Sequence, residues 1–176
     1  MSLETTFIPY GTYWSTPFCR WQGSLSGHNS IELAAATARR FLEAREIATE
    51  SFDGVVLGHT VPQRYCFYGA PWLAGMLGAP GLTGTVVSQA CATSVRALAT
   101  AAMEIETGLR ESVLAITCDR TSNGPHIYHP DPRGIGGRGA AEDPVWDNFN
   151  LDPHAGCSML QTAENVAKEI GISKQQ

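Results

Sequence analysis

The stretch TVVSQACATSVRALATAA, residues 85–102, contains a join between two kinds of secondary structure and decides the fold class. The residues before Cys91 belong to a short apolar run, 84–89, which is typical of a buried strand. An alanine-rich run follows, and we predict a helix from about Cys91 to Gly108. A strand that leads directly into a helix is the repeating unit of α/β proteins with parallel sheets.

The predicted helix after Cys91 has no charged residue between Arg96 and Glu104. A helix that is apolar on most of its sides is normally buried. One sheet can cover only one side of it. We therefore expect a second layer on the other side, from another domain of similar build or from a partner subunit.

Strand and helix signals alternate on both sides of this stretch. The predicted strands are 5–10, 52–60, 84–89 and 112–119, and the other predicted helices in this region are 30–46 and 69–77. Asn29 and Glu32 predict an N-terminal cap for the first helix, because their side chains can satisfy free backbone amides. The series predicts a largely parallel sheet with helices on its faces.

The regular pattern stops after residue 119 and returns near residue 158. Prolines and glycines interrupt 120–157, and a loop of this length is usually functional. Helical periodicity resumes in SMLQTAENVAKEIG, with Gly171 as a typical stop. We predict an α/β core at 1–119, a loop region at 120–157 and a returning helix at 158–176. No strand follows that helix, so we expect the chain to be cut short.

Composition excludes several classes of partner. The net charge is −5 and basic residues do not cluster, which argues against nucleic acid. The five scattered cysteines include no Cys-x-x-Cys pair, which favours a reduced, cytoplasmic protein. No apolar run is long enough to span a bilayer. Charged residues make up only 16% of the chain, which indicates much buried surface, because about 25% is usual.

Two further motifs are weak. GIGGRG, residues 134–139, matches the glycine spacing of a dinucleotide site but lacks the strand before it and the helix after it. His126 and His129 form H-x-x-H, and His154 and Cys157 form H-x-x-C, which is a ligand set that zinc accepts. A proline-rich loop gives these side chains no fixed geometry, so we predict no metal site.

Cys91 itself allows two interpretations. Most cysteines are small apolar residues that fill a core. A cysteine at a helix N-terminus, however, lies where free amides and the helix dipole favour the negative thiolate, which is the nucleophilic form. The small residues that follow, Ala92, Thr93 and Ser94, leave room for a substrate.

Segments along almost the whole chain resemble the N-terminal half of the thiolases, the acetyl-CoA acetyltransferase-like enzymes. STPFCRWQGSL (15–25), FDGVVLGHTVPQ (52–63) and WDNF (146–149) are similar to segments of that family. VVSQACATSVRALATAAMEIETG (86–108) lies where the family has its nucleophilic cysteine. MLQTAENVAKEIGISKQQ (159–176) is the most specific match. The resemblance implies that Cys91 is the catalytic nucleophile.

The chain departs from the family pattern near its site residues. The usual glycine after the cysteine is Ala92, and the usual asparagine three residues before it is Ser88. Counted back from TAENVA, the family's histidine falls on Ser158 and its methionine on Met159, although His154 could take the histidine's place by a shift. The resemblance implies that Met159 borders the acyl pocket and that Ser158 or His154 contacts substrate or coenzyme A.

The resemblance also implies a fold and a reaction. The fold is one half of a five-layer α-β-α-β-α sandwich, with a mostly parallel mixed sheet and the cysteine helix buried at its centre. Cys91 would accept an acyl group from acyl-CoA in the reversible Claisen condensation and thiolysis of 3-ketoacyl-CoA. Coenzyme A is then substrate and product, with no covalently bound cofactor.

The family's catalytic asparagine, Gly-His-Pro histidine and second cysteine belong to its C-terminal half, and none of those motifs is present here. The isolated chain is therefore expected to be incomplete and inactive, with the missing half of the same protein or a partner chain as its complement, in a homo-oligomer. Two other interpretations stay open. ACATS also resembles the ketoacyl synthases, which are condensing enzymes. The chain could also be an inactive fragment or a non-catalytic subunit that needs a C-terminal-half partner.

Overall fold

A three-stranded parallel sheet forms the centre of the first part of the chain. The computed structural model describes residues 3–175, which divide into two units between Asn123 and Gly124. The strands of the first unit are β1 (Gly54–Gly58), β2 (Thr83–Val87) and β3 (Val113–Thr117), in the order β2–β1–β3. All three predicted strands from 52 onwards are confirmed, each shorter than the apolar run that predicted it.

Three helices cover the two faces of this sheet. They are α1 (Ser30–Ala44), α2 (Gly69–Met76) and α3 (Thr93–Glu106). Val55 and Leu57 of β1 face the core that α1 and α2 complete, whereas Val56 faces Ala97 and Ala101 of α3. All five residues of β1 are buried, as expected for a central parallel strand with helices on both faces. The prediction of an α/β fold with a parallel sheet is confirmed.

The first helix begins where the sequence predicts. The side chain of Asn29 accepts hydrogen bonds from the backbone N–H of Ile31, at 2.9 Å, and of Glu32, at 3.5 Å. Two amides that have no partner within the helix are satisfied in this way, and the start of α1 is fixed at Ser30.

The predicted strand at 5–10 is wrong. The carboxylate of Glu106 accepts hydrogen bonds from the backbone N–H groups of Glu4 (3.0 Å), Thr5 (2.8 Å) and Thr6 (2.7 Å). A strand at the edge of the sheet would need such groups for its ladder. The segment is therefore held at the end of α3 by the side chain of Glu106, and by a hydrogen bond from Oγ1 of Thr6 to the main-chain oxygen of Ala102 at 3.2 Å, and not by a neighbouring strand.

Protonation of Glu106 is expected to release this N-terminal segment. The hydrogen bonds, led by that from Thr5, lower the pKa of Glu106 to about 2. Because the folded-state pKa is below the ordinary value, the contribution to stability is present above pH 4.5 and is lost as the pH falls toward 2. We expect Glu106→Gln to speed hydrogen exchange at Thr5 and Thr6 at neutral pH, whereas Glu104→Gln on the same helix leaves it unchanged. Equal protection in both variants would contradict this assignment.

The outer side of α3 carries apolar residues that are open to solvent in the described part of the chain. Val95 is 68% exposed, Leu98 49% and Met103 41%. The opposite side of α3 rests closely on the sheet, since a Cβ on Gly58 would lie 2.9 Å from Cγ2 of Thr93. In the described chain, α3 is thus buried on its sheet side only, and the sequence predicts that a further layer covers the rest.

The second unit combines a short hairpin with two helices. Strands β4 (Ile127–His129) and β5 (Ala140–Glu142) pair antiparallel, and helices α4 (Trp146–Asn150) and α5 (Met159–Ile170) follow. The hairpin lies inside the region 120–157 that the sequence predicted to be a loop. The sequence pattern did not reveal it, because strands of three residues are too short to show an alternation of apolar and polar residues. The predicted division of the chain at 119 and 157 stays a prediction. Gly171 ends α5 with a φ of 71°, as predicted.

The structure describes the surroundings of the glycine motif GIGGRG and the lengths of the helices. Gly134–Gly139 lies in the connection between β4 and β5, not between a strand and a helix. Within residues 3–175 we find no helix with the length and apolar character needed to span a bilayer.

Candidate active site

The carboxyl ends of β1, β2 and β3 meet at one edge of the sheet, because the three strands are parallel. Residues 59–60 follow β1, residues 88–91 follow β2, and residues 118–119 follow β3. The connection from β1 leads to α2 on one face, and that from β2 leads to α3 on the other face. Adjacent strands whose connections leave on opposite faces create a crevice in which α/β proteins bind ligands.

Cys91 lies in an irregular turn between β2 and α3 and is exposed. The helix predicted from about Cys91 is present and begins at Thr93, because Ala90–Ala92 form a single 3₁₀ turn before it. Ala90 has a φ of 46°, which is left-handed backbone. That conformation costs a residue with a Cβ about 1–2 kcal/mol, so neighbouring contacts must hold it.

The side chain of Thr93 supplies such contacts. Its Oγ1 donates a hydrogen bond to the main-chain oxygen of Ala90 (2.7 Å) and accepts one from the N–H of Gln89 (2.8 Å). The side chain of Gln89 is fixed in turn, since its Oε1 accepts a hydrogen bond from Nε of Arg96 at 2.7 Å. Both residues before Cys91 are therefore fixed by the first turn of α3.

Asp119 fixes the segment after β1. Both of its carboxylate oxygens lie 3.0 Å from the N–H of Thr60, and Oδ1 accepts a second bond from Val61 at 2.7 Å. Burial of the carboxyl group raises the pKa of Asp119 although the residue as a whole is exposed, and the amides of Val61 and Thr60 act in the opposite direction. Asp119 thus joins the ends of β3 and β1.

Cys118 precedes Asp119 but has a different environment from Cys91. It packs against the core that α1 and α2 form with the sheet. Burial raises the pKa of its thiol to about 11, and the nearby Asp119 carboxylate acts in the same direction, whereas a hydrogen bond with Ser30 opposes them. Cys118 is therefore a core residue with very little thiolate at neutral pH.

Cys91 is expected to react with iodoacetamide faster than Cys66 or Cys118. Cys91 is exposed, and the other two are half-buried. With its pKa at about 11, Cys118 is thiolate in only about one molecule in a thousand at pH 8, so a difference of at least about tenfold is expected. Peptide mass spectrometry measures the three rates in one sample. The rates should converge in guanidinium chloride, and equal rates in the folded protein would count against this assignment.

The other predicted site residues lie in the second unit, around the start of α5. Ser158 is the N-cap of this helix, and its Oγ accepts a hydrogen bond from the N–H of Gln161 at 3.2 Å. Met159 is the first residue of α5 and is half-buried. His154 is exposed, in a turn where Oδ1 of Asp152 accepts its N–H at 2.8 Å. Ser158, Met159 and His154 are thus neighbours along the chain, on or just before one helix.

The histidines considered as metal ligands have other surroundings. Nε2 of His129 lies 2.6 Å from Oε2 of Glu142, across the hairpin. Cys157 Sγ lies 3.5 Å from the hydroxyl of Thr162. Among residues 3–175 no group of three or more histidine, cysteine or acidic side chains is arranged so that it could hold a metal ion.

Sequence reasoning did not identify Thr60, Thr93 or Asp119 as parts of this site. A usable signal was present, because each is a polar residue at the last position of a predicted parallel strand or in the first turn of the helix after one. The carboxyl ends of parallel strands meet at one edge, so these positions are neighbours in space.

Known proteins with similar sequences point to one family. The family described as "Thiolase, N-terminal domain" matches residues 13–176. A probable acetyl-CoA acetyltransferase of Escherichia coli is 29% identical over 91% of this chain and 41% of its own length. An acetyl-CoA acetyltransferase of Pseudomonas aeruginosa is 30% identical over 89% of this chain and 40% of its own length.

Solved structures give the same picture. The human mitochondrial 3-ketoacyl-CoA thiolase in complex with CoA has a TM-score of 0.77 and 25% identity, over 90% of this chain and 41% of that protein. An acetyl-CoA acetyltransferase of Syntrophomonas wolfei has a TM-score of 0.74 and 27% identity, over 90% and 40%. The present chain therefore spans about two fifths of the length of the proteins that it resembles.

Proposed function

The chain belongs to the thiolase family, whose N-terminal domain it matches over residues 13–176, and from this we propose that it carries the nucleophile of a thiolase-type acyltransferase. One observation supports the proposal most directly. Cys91 is exposed in a turn held against the start of α3, at the sheet edge where parallel α/β proteins bind their ligands. We assign Cys91 as the nucleophile.

The reaction has two steps. In the first, the acyl group moves from the sulfur of coenzyme A to the sulfur of Cys91. In the second, it moves from Cys91 to the α-carbon of a second acyl-CoA. The Cys91 thiolate attacks the carbonyl carbon of acyl-CoA, the bond to the sulfur of coenzyme A breaks, and coenzyme A leaves as a thiolate that takes up a proton. A second acyl-CoA, deprotonated at its α-carbon, then attacks the cysteine-bound acyl group. The carbon–sulfur bond to Cys91 breaks, the thiolate is restored, and 3-ketoacyl-CoA is released. Coenzyme A drives the reverse reaction, thiolysis.

A cysteine suits this reversible transfer because the acyl-enzyme is itself a thioester. Its energy is close to that of acyl-CoA, so the transfer of the acyl group between coenzyme A and Cys91 is not strongly downhill in either direction. A thiolate nucleophile also needs a base and donors for the developing oxyanion. We propose that a C-terminal half, in the same protein or in a partner chain, supplies the base. In support, the relatives are more than twice as long, and the outer side of α3 has exposed apolar residues that such a half could cover.

The start of α5 is the proposed contact region for substrate. Met159 borders the acyl pocket in this proposal, and either Ser158 or His154 contacts acyl-CoA. Replacing Ser158 would also remove the cap of α5, so His154→Ala is the cleaner test of these two. A homo-oligomeric state and a cytoplasmic location remain predictions from the sequence.

A condensing enzyme of the ketoacyl-synthase kind is the second candidate. The observation that favours it is ACATS around Cys91, where thiolases have glycine directly after the cysteine. Such an enzyme would form the same acyl-cysteine but would accept a malonyl thioester, with loss of carbon dioxide, as the second substrate. The third candidate is a non-catalytic subunit, which would form no acyl-cysteine.

Acyl-enzyme formation tests these candidates together. The complete protein, purified with any chain that accompanies it, is mixed with acetyl-CoA, and the masses of its cysteine-containing peptides are measured by mass spectrometry. We expect one acetyl group on the Cys91 peptide, which added coenzyme A removes. A second thioester then separates the first two candidates, because acetyl-CoA supports a thiolase and malonyl-CoA a decarboxylating enzyme. An acetyl group on another cysteine, or on none, would refute the assignment of Cys91.

A further inference from the structure

The hydroxyl groups of Thr60 and Thr93 connect the turn that carries Cys91 to the segment after β1. Their Oγ1 atoms are 2.8 Å apart, and Thr60 Oγ1 also lies 3.2 Å from the main-chain oxygen of Ala90. Thr93 is only 5% exposed, so water has little access to replace these partners. The contact joins the loop after β1 to the first residue of α3, 33 positions further along the chain.

The hydroxyl of Thr93 is fully used in this arrangement. A threonine hydroxyl has one hydrogen to donate and two lone pairs that accept. Oγ1 of Thr93 accepts a hydrogen bond from the N–H of Gln89, and the oxygen of Ala90 and the hydroxyl of Thr60 are its two other partners. Either hydroxyl can donate in the contact between Thr60 and Thr93, and the hydrogen of the other hydroxyl is then directed to the oxygen of Ala90.

These contacts form a chain across the ends of all three strands. Asp119, after β3, holds the backbone of Thr60, after β1. Thr60 meets Thr93, and Thr93 holds Ala90 and Gln89, the two residues between β2 and the thiol. The left-handed conformation of Ala90 is thereby supported by Thr93, at the start of α3, and by Thr60, in the segment after β1.

We propose that Thr93, supported by Thr60, is the positioning residue for the Cys91 thiol. By holding Ala90 in left-handed backbone, it fixes the course of the turn from which Cys91 extends, directly before α3. Neither hydroxyl is assigned a contact with substrate. The proposal rests on the proposed function in one respect only, namely that Cys91 is the nucleophile.

The side-chain shape of threonine offers a direct test of this role. Thr93→Val keeps the shape but removes the hydroxyl, which leaves the N–H of Gln89 and the oxygen of Ala90 without this partner. Thr93→Ser keeps the hydroxyl and removes only a methyl group. Thr60→Val removes only the supporting hydroxyl, and it provides a second test of the contact if the Thr93 variant fails to fold. Thr100→Val, two turns further along α3, is the matched control.

The measurement is the iodoacetamide rate of Cys91 divided by that of Cys19 in the same molecule, in the complete protein. Cys19 is another exposed cysteine and serves as the internal standard. We expect the ratio to fall by about tenfold in Thr93→Val and by about threefold in Thr60→Val, because small misplacements of a reacting group are costly. Thr93→Ser should stay within about twofold of the wild type, and Thr100→Val should be unchanged.

Acyl-transfer kinetics add a second measurement. Thr93→Val is expected to lower kcat and leave KM near its wild-type value, since positioning of the nucleophile acts on the chemical step. A native alkylation ratio in Thr93→Val, or an equal fall in Thr100→Val, would overturn the proposal. If the wild-type protein forms no acyl-enzyme, the proposed function fails, whereas the alkylation ratio still decides the role of Thr93.

Discussion

Replacing Cys91 by alanine is expected to abolish the acyl-enzyme and to lower acyl-transfer activity by about a thousandfold or more. The reason is chemical, because alanine has no atom that can form a bond to the acyl carbon. The side chain is exposed, so its removal leaves no cavity in the core, and the melting temperature should stay close to that of the wild type. The measurements are intact mass after addition of acetyl-CoA, and turnover of acetoacetyl-CoA.

Cys19→Ala is the matched control for this experiment. Cys19 is exposed like Cys91. Its Sγ lies 3.4 Å from Oγ of Ser24. Its replacement should preserve both the acyl-enzyme and the turnover. A Cys91→Ala protein that still carries an acetyl group would end the assignment of Cys91, whatever its turnover.

Gly84→Ala is expected to give the largest loss of stability. Gly84 of β2 lies opposite Val55 of β1, and a Cβ at this position would collide with the main-chain oxygen of Val55. A backbone atom in a central strand cannot turn aside as a flexible side chain can, so the two strands must separate locally. We expect the free energy of unfolding to fall by about 3 kcal/mol, as measured by chemical denaturation followed by circular dichroism.

Gly75→Ala makes the same chemical change where there is space. Gly75 lies in α2, and a Cβ there would meet nothing within 4 Å. Alanine is favoured over glycine in a helix, so this variant should gain up to about 1 kcal/mol. If both variants change stability in the same direction and by the same amount, the close approach of β1 and β2 at Gly84 is not the cause.

The parts of the fold that could be predicted are those set by local pattern. β1 is a run of five residues that are all buried, and Asn29 marks the start of α1 by its own side chain. α5 ends at Gly171, the residue type best suited to left-handed backbone. In each case the residues that give the signal are adjacent in sequence to the element that they define.

The parts that could not be predicted depend on contacts between distant residues. Glu106 accepts hydrogen bonds from Thr5 and Thr6, about a hundred positions away. No sequence pattern in either segment predicts this contact. Ala90 is left-handed although alanine is an ordinary helix former, because Thr93 and Thr60 stabilise that conformation from outside. The cysteine was recognised from the sequence, whereas the contacts between the hydroxyl groups of Thr60 and Thr93 were seen only in the structure.

The order β2–β1–β3 has a consequence for synthesis of the chain. β1 is made first but lies at the centre of the sheet, so neither of its partner strands has been made when its own synthesis ends. It must wait for residues 83–87 on one side and for residues 113–117 on the other, and before residues 83–87 are made, α1 and α2 are the only helices of its later surroundings that are present. Exposed apolar segments with unpaired edges associate with other chains, so β1 is the segment that a ribosome-bound chaperone would need to shield.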